Sequence, residues 1–269
     1  MANPFLQILN PFLGKQAFQS FFRKLYYLSL RGMNYSSTSK YHQNGEDHVL
    51  RRINQFYGQK EELVIFDVGA NVGDYSSLIF NIFGDKNYNV HAFEPVKSTF
   101  GELSGRITSD NFHLNNLGLS SEEKKIQIHY DTDASKLSSV YKRKLDHTAI
   151  GFDKTETIKV STIDLYSEQN NIEKIEFLKV DVEGHELEVF KGAVSMIESK
   201  SIDFIQFEFG GTNIDSRTYF KDLYYALGPS FKLYRIVRDG LVPIDQYSEI
   251  HEVFQSCNYL AIRKEIDFR

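Results

Sequence analysis

The stretch that decides the fold is Val64-Ile65-Phe66-Asp67-Val68-Gly69-Ala70-Asn71-Val72-Gly73. An apolar, β-branched run ends in an acidic residue and is followed by glycines, which predicts a buried strand that leads into a tight turn. Gly69 and Gly73 would let the backbone approach a ligand, and the helix that follows would present free amide groups to it. Purely structural turns also carry paired glycines, so this turn alone does not establish a ligand site.

A second predicted strand, residues 89–93, ends at Glu94-Pro95. In a Rossmann-like sheet the end of the second strand lies beside the first glycine turn, where a carboxylate accepts hydrogen bonds from both hydroxyls of a ribose. Glu94 is therefore the predicted ribose ligand. The two segments together predict a nucleoside-binding site.

The spacing of the glycines indicates which nucleoside is bound. Dinucleotide-binding turns usually keep three glycines, the last of which allows close packing of the helix under a pyrophosphate. This chain has Asp-x-Gly-x-x-x-Gly, and Asp67 comes just before the turn. A carboxylate there would repel a pyrophosphate but attract the ammonium group of a methionine moiety. We therefore expect S-adenosyl-L-methionine rather than NAD.

Four blocks of the sequence, in this order, resemble those of the FkbM-type S-adenosylmethionine-dependent methyltransferases: residues 66–73, 92–95, 161–164 and 177–186. The last block is the most specific, because its Lys-Val-Asp strand end is followed by Glu-Gly-His-Glu and by a helix ending in Lys191-Gly192-Ala193. The likeness runs from about residue 42 to residue 262. It implies a Rossmann-like class I methyltransferase fold and methyl transfer to a hydroxyl of a sugar, polyketide or other natural product.

The resemblance also assigns cofactor contacts. It implies that Asp67 and Gly69 hold the methionine part, that Glu94 binds the ribose and that Asn116 with Leu117 flanks the adenine. Asn115 is an alternative to Asn116. The full implied set of cofactor-binding residues is Asp67, Gly69, Asn71, Gly73, Glu94, Asn116, Leu117 and Asp181.

The pattern along the body of the chain predicts an α/β fold. Helical periodicity in residues 47–57, 74–83 and 99–107 alternates with short apolar runs near residues 112–114, 126–130, 158–161, 175–180, 204–209, 233–237 and 259–263. This alternation predicts a mainly parallel sheet with helices on both faces. The segments after Gly228-Pro229 predict a hairpin joined through Asp239-Gly240, which adds an antiparallel C-terminal strand.

Methyl transfer to a hydroxyl requires an aligned acceptor oxygen and a group that removes its proton. Asp181, Glu183 and His185 cluster at the end of the predicted fourth parallel strand. Asp181 is the first candidate for contact with the acceptor or the cofactor, and His185, with an ordinary pKa near 6.5, is the second. His185 and Glu183 have an alternative role as caps of the helix that begins near Gly184.

A divalent metal offers a minority alternative. Asp181 and Glu208 end neighbouring predicted strands and would supply two oxygen ligands for Mg²⁺, which would lower the pKa of the acceptor hydroxyl. Residues 135–154 interrupt the alternation of helices and strands, and loops of that length often cover a site. We expect this loop to bind the acceptor, although a mobile surface excursion is equally compatible with the sequence.

Composition narrows the class of protein. The chain has 269 residues, a net charge of −5 and a pI near 5.9, which argues against a nucleic-acid-binding surface as its main feature. Cys257 is the single cysteine, so an intrachain disulfide and a multi-cysteine zinc site are excluded. No apolar run is long enough to span a bilayer, and no signal peptide is evident. We therefore expect a cytoplasmic protein.

The N-terminal part differs from the rest. Residues 1–45 contain five Lys or Arg residues and no Asp or Glu. Residues 1–41 are predicted to form a basic amphipathic extension and linker, and residues 42–269 the methyltransferase domain. The apolar face consists of Phe18, Phe21, Phe22, Leu25 and Leu28. It either packs on the core or on a second subunit, or binds an anionic membrane surface.

Three functions are therefore open. The leading one is an O-methyltransferase that acts on a small-molecule or glycan hydroxyl. An NAD-dependent oxidoreductase on the same fold is the second, and a non-catalytic binding module with a methyltransferase fold is the third.

Overall fold

Eight strands form the main sheet of this computed structural model, which describes residues 10–35, 40–58, 60, 62–84, 87–131, 138–143 and 154–268. These strands are β1 Leu63–Val68, β2 Tyr88–Phe93, β3 Phe112–Asn115, β7 Ile175–Val180, β8 Ile202–Phe209, β9 Phe231–Val237, β10 Gly240–Ile244 and β11 Cys257–Arg263. A second sheet holds β4 Gly118–Leu119, β5 Lys124–Tyr130 and β6 Lys154–Ser161.

The strand order of the main sheet is β10-β9-β11-β8-β7-β1-β2-β3. Strands β3, β2, β1, β7 and β8 run parallel, whereas β11 is antiparallel to both β8 and β9. Strands β9 and β10 form the predicted hairpin. The mainly parallel sheet with an antiparallel C-terminal strand is therefore confirmed, and β1 is the middle one of the five parallel strands.

Helices cover both faces of the main sheet, as the alternation predicted. Their bounds are α1 Gln19–Gly32, α2 Tyr41–Asn44, α3 Glu46–Tyr57, α4 Asp74–Phe83, α5 Lys97–Arg106, α6 Ile163–Gln169, α7 Glu186–Lys191, α8 Val194–Glu198, α9 Thr212–Ser216 and α10 Phe220–Leu227. Helices α3 and α4 bury their apolar side chains on one face, and α6, α7, α8 and α10 bury theirs on the other. The central strands are consequently buried on both sides, which explains their continuous apolar sequence.

The segment between β3 and β7 differs from the simple alternation. The apolar runs near residues 126–130 and 158–161 form β5 and β6, which pair with each other and leave the main sheet. Their inward side chains Ile128, Ile158 and Val160 pack on Val96 and form a separate small core. Their outward side chains are largely exposed, as in an antiparallel sheet with one solvated face.

The N-terminal helix touches the body mainly through its C-terminal end. Leu30 and Tyr35 belong to the larger core, but Phe21 is 56% exposed and Leu28 is 67% exposed. The predicted apolar face therefore does not pack on the core of this chain. The boundary at residue 41 stays a prediction, although core packing begins at Leu30. Within the described ranges no helix is long and apolar enough to cross a membrane.

Candidate active site

A cavity of ≈ 430 Å³ lies where the parallel strands end. Ligands bind at this edge in open α/β sheets, because the loops that leave the strands diverge there. Side chains from β1, β2, β7 and β8 meet residues of α2, α3, the small sheet and the beginning of β11. The cavity wall includes Asn34, Tyr41, Glu46, Gly69, Asn71, Glu94, Leu119, Ile128, Ile158, Lys179, Asp181, Glu183, His185, Glu208 and Ser256.

Gly69 forms the turn that follows β1. Its backbone N–H donates to the Phe93 carbonyl at 3.0 Å, and its φ of +82° suits glycine. A Cβ atom here would lie 1.9 Å from the carbonyl oxygen of Asp181, which no side chain tolerates. The glycine is thus required for contact with the end of β7, although Gly69 also lines the cavity.

Gly73 lies where α4 packs on α5, and its contact with the cofactor stays a prediction. It precedes α4 with a φ of +85°, and a Cβ atom would lie 2.8 Å from Leu103 Cδ1. It is not among the residues that line the cavity. Its freedom therefore serves the packing of α4 against α5.

Asp67 is fully buried behind the turn, and the structure does not bring it to the cavity wall. The Ser76 hydroxyl donates to Oδ2 at 2.7 Å, while Oδ1 has no hydrogen-bond partner among the described residues. Burial raises the pKa of Asp67, and the Lys179 charge partly offsets that rise. Contact between Asp67 and a methionine moiety remains a prediction.

Glu94 is held at the cavity wall by two backbone amides. Val96 N–H donates to Oε1 at 2.9 Å and Asn71 N–H donates to Oε2 at 3.1 Å. The residue is only 5% exposed, and burial raises the pKa of its carboxyl to about 7. Each oxygen keeps further acceptor capacity, so Glu94 can accept hydrogen bonds from two neighbouring hydroxyls.

The structure places Asn116 and Leu117, the residues assigned to the adenine, next to the cavity but not in its wall. Asn116 donates through Nδ2 to the carbonyls of Glu94 and Pro95 at 2.9 and 3.0 Å, and Leu117 packs against the larger core. Neither lines the cavity, whereas the next two residues, Gly118 and Leu119 of β4, do. The apolar side chains of β5 and β6 continue that wall, which the sequence reasoning missed. The alternating pattern of residues 124–130 was the signal that could have revealed it.

Lys179 sits at the opposite, polar end of the cavity. It is almost fully buried, its Nζ lies 3.1 Å from Asp181 Oδ2, and it lies 4.7 Å from the centre of the Tyr75 ring. Burial alone would lower the pKa of Lys179, but the charges of Asp181, Asp67 and Glu46 raise it. Lys179 is therefore a permanent buried cation at this site, and sequence reasoning gave it no role.

Asp181 stays accessible from the cavity, since its side chain is 36% exposed. Burial would raise its pKa, but the Lys179 ammonium, through its charge and its hydrogen bond, holds the pKa of Asp181 below its usual range. The group is thus ionised at neutral pH and can accept a hydrogen bond from a ligand.

Glu183 and Glu208 lie beside Asp181. Burial, followed by the Asp181 charge, raises the pKa of Glu183 to about 8, although Arg143 NH1 lies 3.5 Å from its Oε2. The same two causes raise the pKa of Glu208 well above its usual range. A hydrogen bond between the Glu208 and Asp181 carboxyl groups lowers the pKa of Asp181 and raises that of Glu208.

Both ring nitrogens of His185 are occupied. Nε2 lies 3.0 Å from Ser120 Oγ and Nδ1 lies 3.1 Å from the Tyr141 hydroxyl. Burial lowers the pKa of His185 to about 4, so the ring is neutral. Its side chain makes no capping hydrogen bond to α7. The Glu186 carboxylate instead accepts the Val182 and Gly184 amides at 3.3 and 3.1 Å.

Two further predictions concern the metal and the loop. Within the part of the chain that the structure describes, no group of three His, Cys, Asp or Glu side chains is placed to hold a metal ion.

Of the predicted acceptor loop, Ser138 and Val140 line the cavity and the Ser139 hydroxyl donates to the Glu183 carbonyl at 2.8 Å. Residues 135–137 and 144–153 lie outside the described residues.

Comparison with known proteins identifies the family of the chain. The family profile of the methyltransferase FkbM domain matches residues 67–261. Hexuronic acid methyltransferase AglP of Haloferax volcanii is 30% identical over 169 residues, which are 62% of this chain and 64% of that protein. The chain thus spans less than two thirds of this relative.

Solved structures also resemble the chain. The methyltransferase FkbM of Methylobacillus flagellatus matches with a TM-score of 0.45 and 17% identity over 77% of this chain and 47% of that one. A SAM-dependent O-methyltransferase of Thermotoga maritima matches with a TM-score of 0.38 and 12% identity over 82% of this chain and 66% of that one.

Proposed function

Since the chain belongs to the methyltransferase FkbM family, we propose that it transfers the methyl group of S-adenosyl-L-methionine to a hydroxyl of a sugar, a glycan or a natural product. The observation that carries the proposal is the pairing of two unlike ends in one cavity. Glu94 and an apolar wall form one end, and an ionised Asp181 surrounded by polar groups forms the other.

The first end fits a nucleoside. Glu94 has two oxygens fixed by backbone amides, so they can accept a ribose diol without losing their own support. Leu119, Ile128 and Ile158 offer apolar contact to a base. The cavity volume of ≈ 430 Å³ falls within the usual range for such ligands. Bound there, S-adenosylmethionine supplies an electrophilic methyl group on a sulfonium.

The second end suits a hydroxyl acceptor. Asp181 is ionised and exposed to the cavity, so it can orient the acceptor hydroxyl and take its proton. Lys179 fixes the orientation of Asp181 and keeps it charged. A hydrogen bond from Glu208, on the neighbouring strand, further lowers the pKa of Asp181. His185 supports the wall through Ser120 and Tyr141, which favours a positioning role over proton transfer.

The sugar component of the proposal draws on two supports. The similar protein AglP is a hexuronic acid methyltransferase. In this chain, the polar end offers carboxyl, amide and hydroxyl groups from Glu183, Asn34 and Ser256, which suit a molecule with several hydroxyls. The acceptor itself remains a proposal.

Two measurements test this function. Thermal-shift assays should show stabilisation by S-adenosylmethionine and S-adenosylhomocysteine and none by NAD, and stabilisation by NAD alone would favour the oxidoreductase. Incorporation of a labelled methyl group into a sugar or glycan fraction would then separate an enzyme from a non-catalytic binding module. Cofactor binding without transfer to any hydroxyl-bearing fraction would contradict O-methylation.

A further inference from the structure

Helix α1 presents an apolar stripe to solvent. Phe21, Leu25 and Leu28 follow one another at helical spacing and are 56%, 42% and 67% exposed. Tyr26 and Tyr27 are also more than half exposed. Solvent-exposed apolar stripes of this kind mark surfaces that bind something else.

Basic residues accompany the stripe. Lys24 and Arg31 each follow a stripe residue by three positions, so both lie beside it, and both are exposed. No ion pair within the described ranges involves either of them. Residues 1–45 carry five positive and no negative residues, whereas the rest of the chain has a net charge of −10. Positive charge is thus concentrated on and around α1.

We propose that α1 docks the protein on an anionic lipid surface. The apolar stripe would enter the boundary between headgroups and acyl chains, while Lys24 and Arg31 contact the anionic headgroups. Symmetric pairing of α1 with a second copy explains the charge less well, because it would bring each cluster of positive residues against its own copy.

The docking surface lies close to the candidate active site. Asn34, two residues after the end of α1, lines the cavity and donates through Nδ2 to the carbonyls of Asn44 and Ile236 at 2.9 and 3.1 Å. Leu30 and Tyr35 anchor the same end in the core. With 14 residues, α1 is about 21 Å long. A lipid surface that holds the helix therefore lies within about one helix length of the cavity.

Vesicle co-sedimentation of the full chain tests the proposal. We expect binding to vesicles that contain phosphatidylglycerol and much weaker binding to phosphatidylcholine alone, with affinity falling as salt increases. The Lys24→Gln/Arg31→Gln variant should bind about 25-fold less tightly, because each charge contributes about fivefold. A Phe21→Ser/Leu25→Ser/Leu28→Ser variant should lose at least ~10²-fold.

The control is Lys125→Gln/Lys232→Gln, which removes two exposed charges elsewhere and should bind like the wild type. Equal binding by the control and the α1 charge variant would overturn the proposal, as would absence of binding to phosphatidylglycerol vesicles at low salt. Analytical ultracentrifugation tests the alternative that the stripe pairs with a second copy of the chain. A wild-type dimer that the serine variant converts to a monomer, without vesicle binding by either, would assign the stripe to self-association instead.

Discussion

Replacing Asp181 with Asn separates charge from shape at the polar end of the cavity. The amide has nearly the volume of the carboxylate, and its oxygen can still accept the Lys179 hydrogen bond, which is 3.1 Å long in the native site. The change removes the negative charge that pairs with Lys179 and the basicity that would take a proton from the acceptor. Fold and cavity shape should therefore survive.

The expected loss follows from the role of the carboxylate. A positioned general base contributes about 10²–10⁴ in rate, so turnover should fall by at least ~10². Cofactor affinity should change by less than about tenfold, because Glu94 and the backbone around Gly69 are untouched. Stability should fall by no more than about 1.5–3 kcal/mol, the range for a hydrogen bond to a charged group.

The pH profile gives the second readout. The pKa of Asp181 lies below its usual range, so a base at this position stays active across neutral pH, and wild-type turnover should be flat from about pH 6 upward. The pKa of Glu183 is about 8, so if Glu183 were the base, turnover would rise with pH through that value. In the Asn variant the Asp181 charge that raises the pKa of Glu183 is gone, and that pKa should fall.

The assay is labelled methyl transfer to the identified acceptor, with calorimetry of S-adenosylhomocysteine binding as the check on the site. Asp239→Asn, at an exposed position in the β9–β10 turn, is the matched control and should behave as wild type. Near-normal turnover in the Asp181→Asn variant would refute the reasoning. A turnover that rises through pH 8 and is abolished by Glu183→Gln would move the base to Glu183.

The remaining predictions concern the proposed ribose ligand Glu94, the glycine turn after β1, the N-terminal residues 1–40 and the metal hypothesis. Glu94→Ala should raise the Kd for S-adenosylhomocysteine by ~10–150-fold in calorimetry, since it removes a buried hydrogen-bonding carboxyl; an unchanged Kd would contradict the ribose assignment. Gly69→Ala should lower the Tm far more than Gly84→Ala, because both have positive φ but only Gly69 would meet a backbone oxygen, at 1.9 Å; equal losses would show that φ alone matters. Deleting residues 1–28 should leave cofactor binding intact, whereas deleting residues 1–40 should lower the Tm, because Leu30 and Tyr35 leave the core; equal Tm values for the two deletions would argue against that packing. If Asp181 and Glu208 bind Mg²⁺, a chelator should abolish turnover and Mg²⁺ should restore it; turnover unaffected by the chelator would remove the metal hypothesis.

Much of the fold could be predicted because its signals are local. The run before Gly69 is apolar on both faces, which predicts a central parallel strand, and the helical periodicity of residues 47–57 and 74–83 predicts the covering helices. The hairpin was predicted to within one residue, because Asp239-Gly240 was the expected turn and the observed loop is Arg238-Asp239, with Gly240 paired to Val237. These features depend on neighbouring residues alone.

Local sequence patterns did not predict which distant strands pair with each other. Residues 126–130 and 158–161 have strand patterns, but nothing local states that they pair with each other rather than with the main sheet. That pairing decides which apolar side chains line the cavity. The likeness in the third-strand region pointed to Asn116 and Leu117, whereas the wall begins at Gly118, because Asn116 bonds back to the loop after β2.

Asp67 lies among the residues of α4, where the Ser76 hydroxyl holds its short side chain away from the cavity. Side chains alternate between sheet faces, so Asp67 shares a face with Ile65, beneath α3 and α4. Lys179 pairs with Asp67 in register and Gln206 pairs with Lys179, so the three side chains form a polar row across β1, β7 and β8. Glu46 of α3 faces this row and accepts the Gln206 amide at 2.7 Å.

This row explains why a cavity rich in carboxyl groups does not carry a large negative charge. Lys179 neutralises Asp181, and burial together with the Asp181 charge raises the pKa values of Glu183 and Glu208, which favours their neutral forms. A site with three ionised carboxylates would stabilise a cationic methyl donor in its ground state, and that stabilisation would be lost as the positive charge disappears during transfer. With one paired carboxylate, Asp181 can accept a proton while the neutral acids donate hydrogen bonds. Lys179 therefore determines the net charge of the carboxyl groups at this end of the cavity.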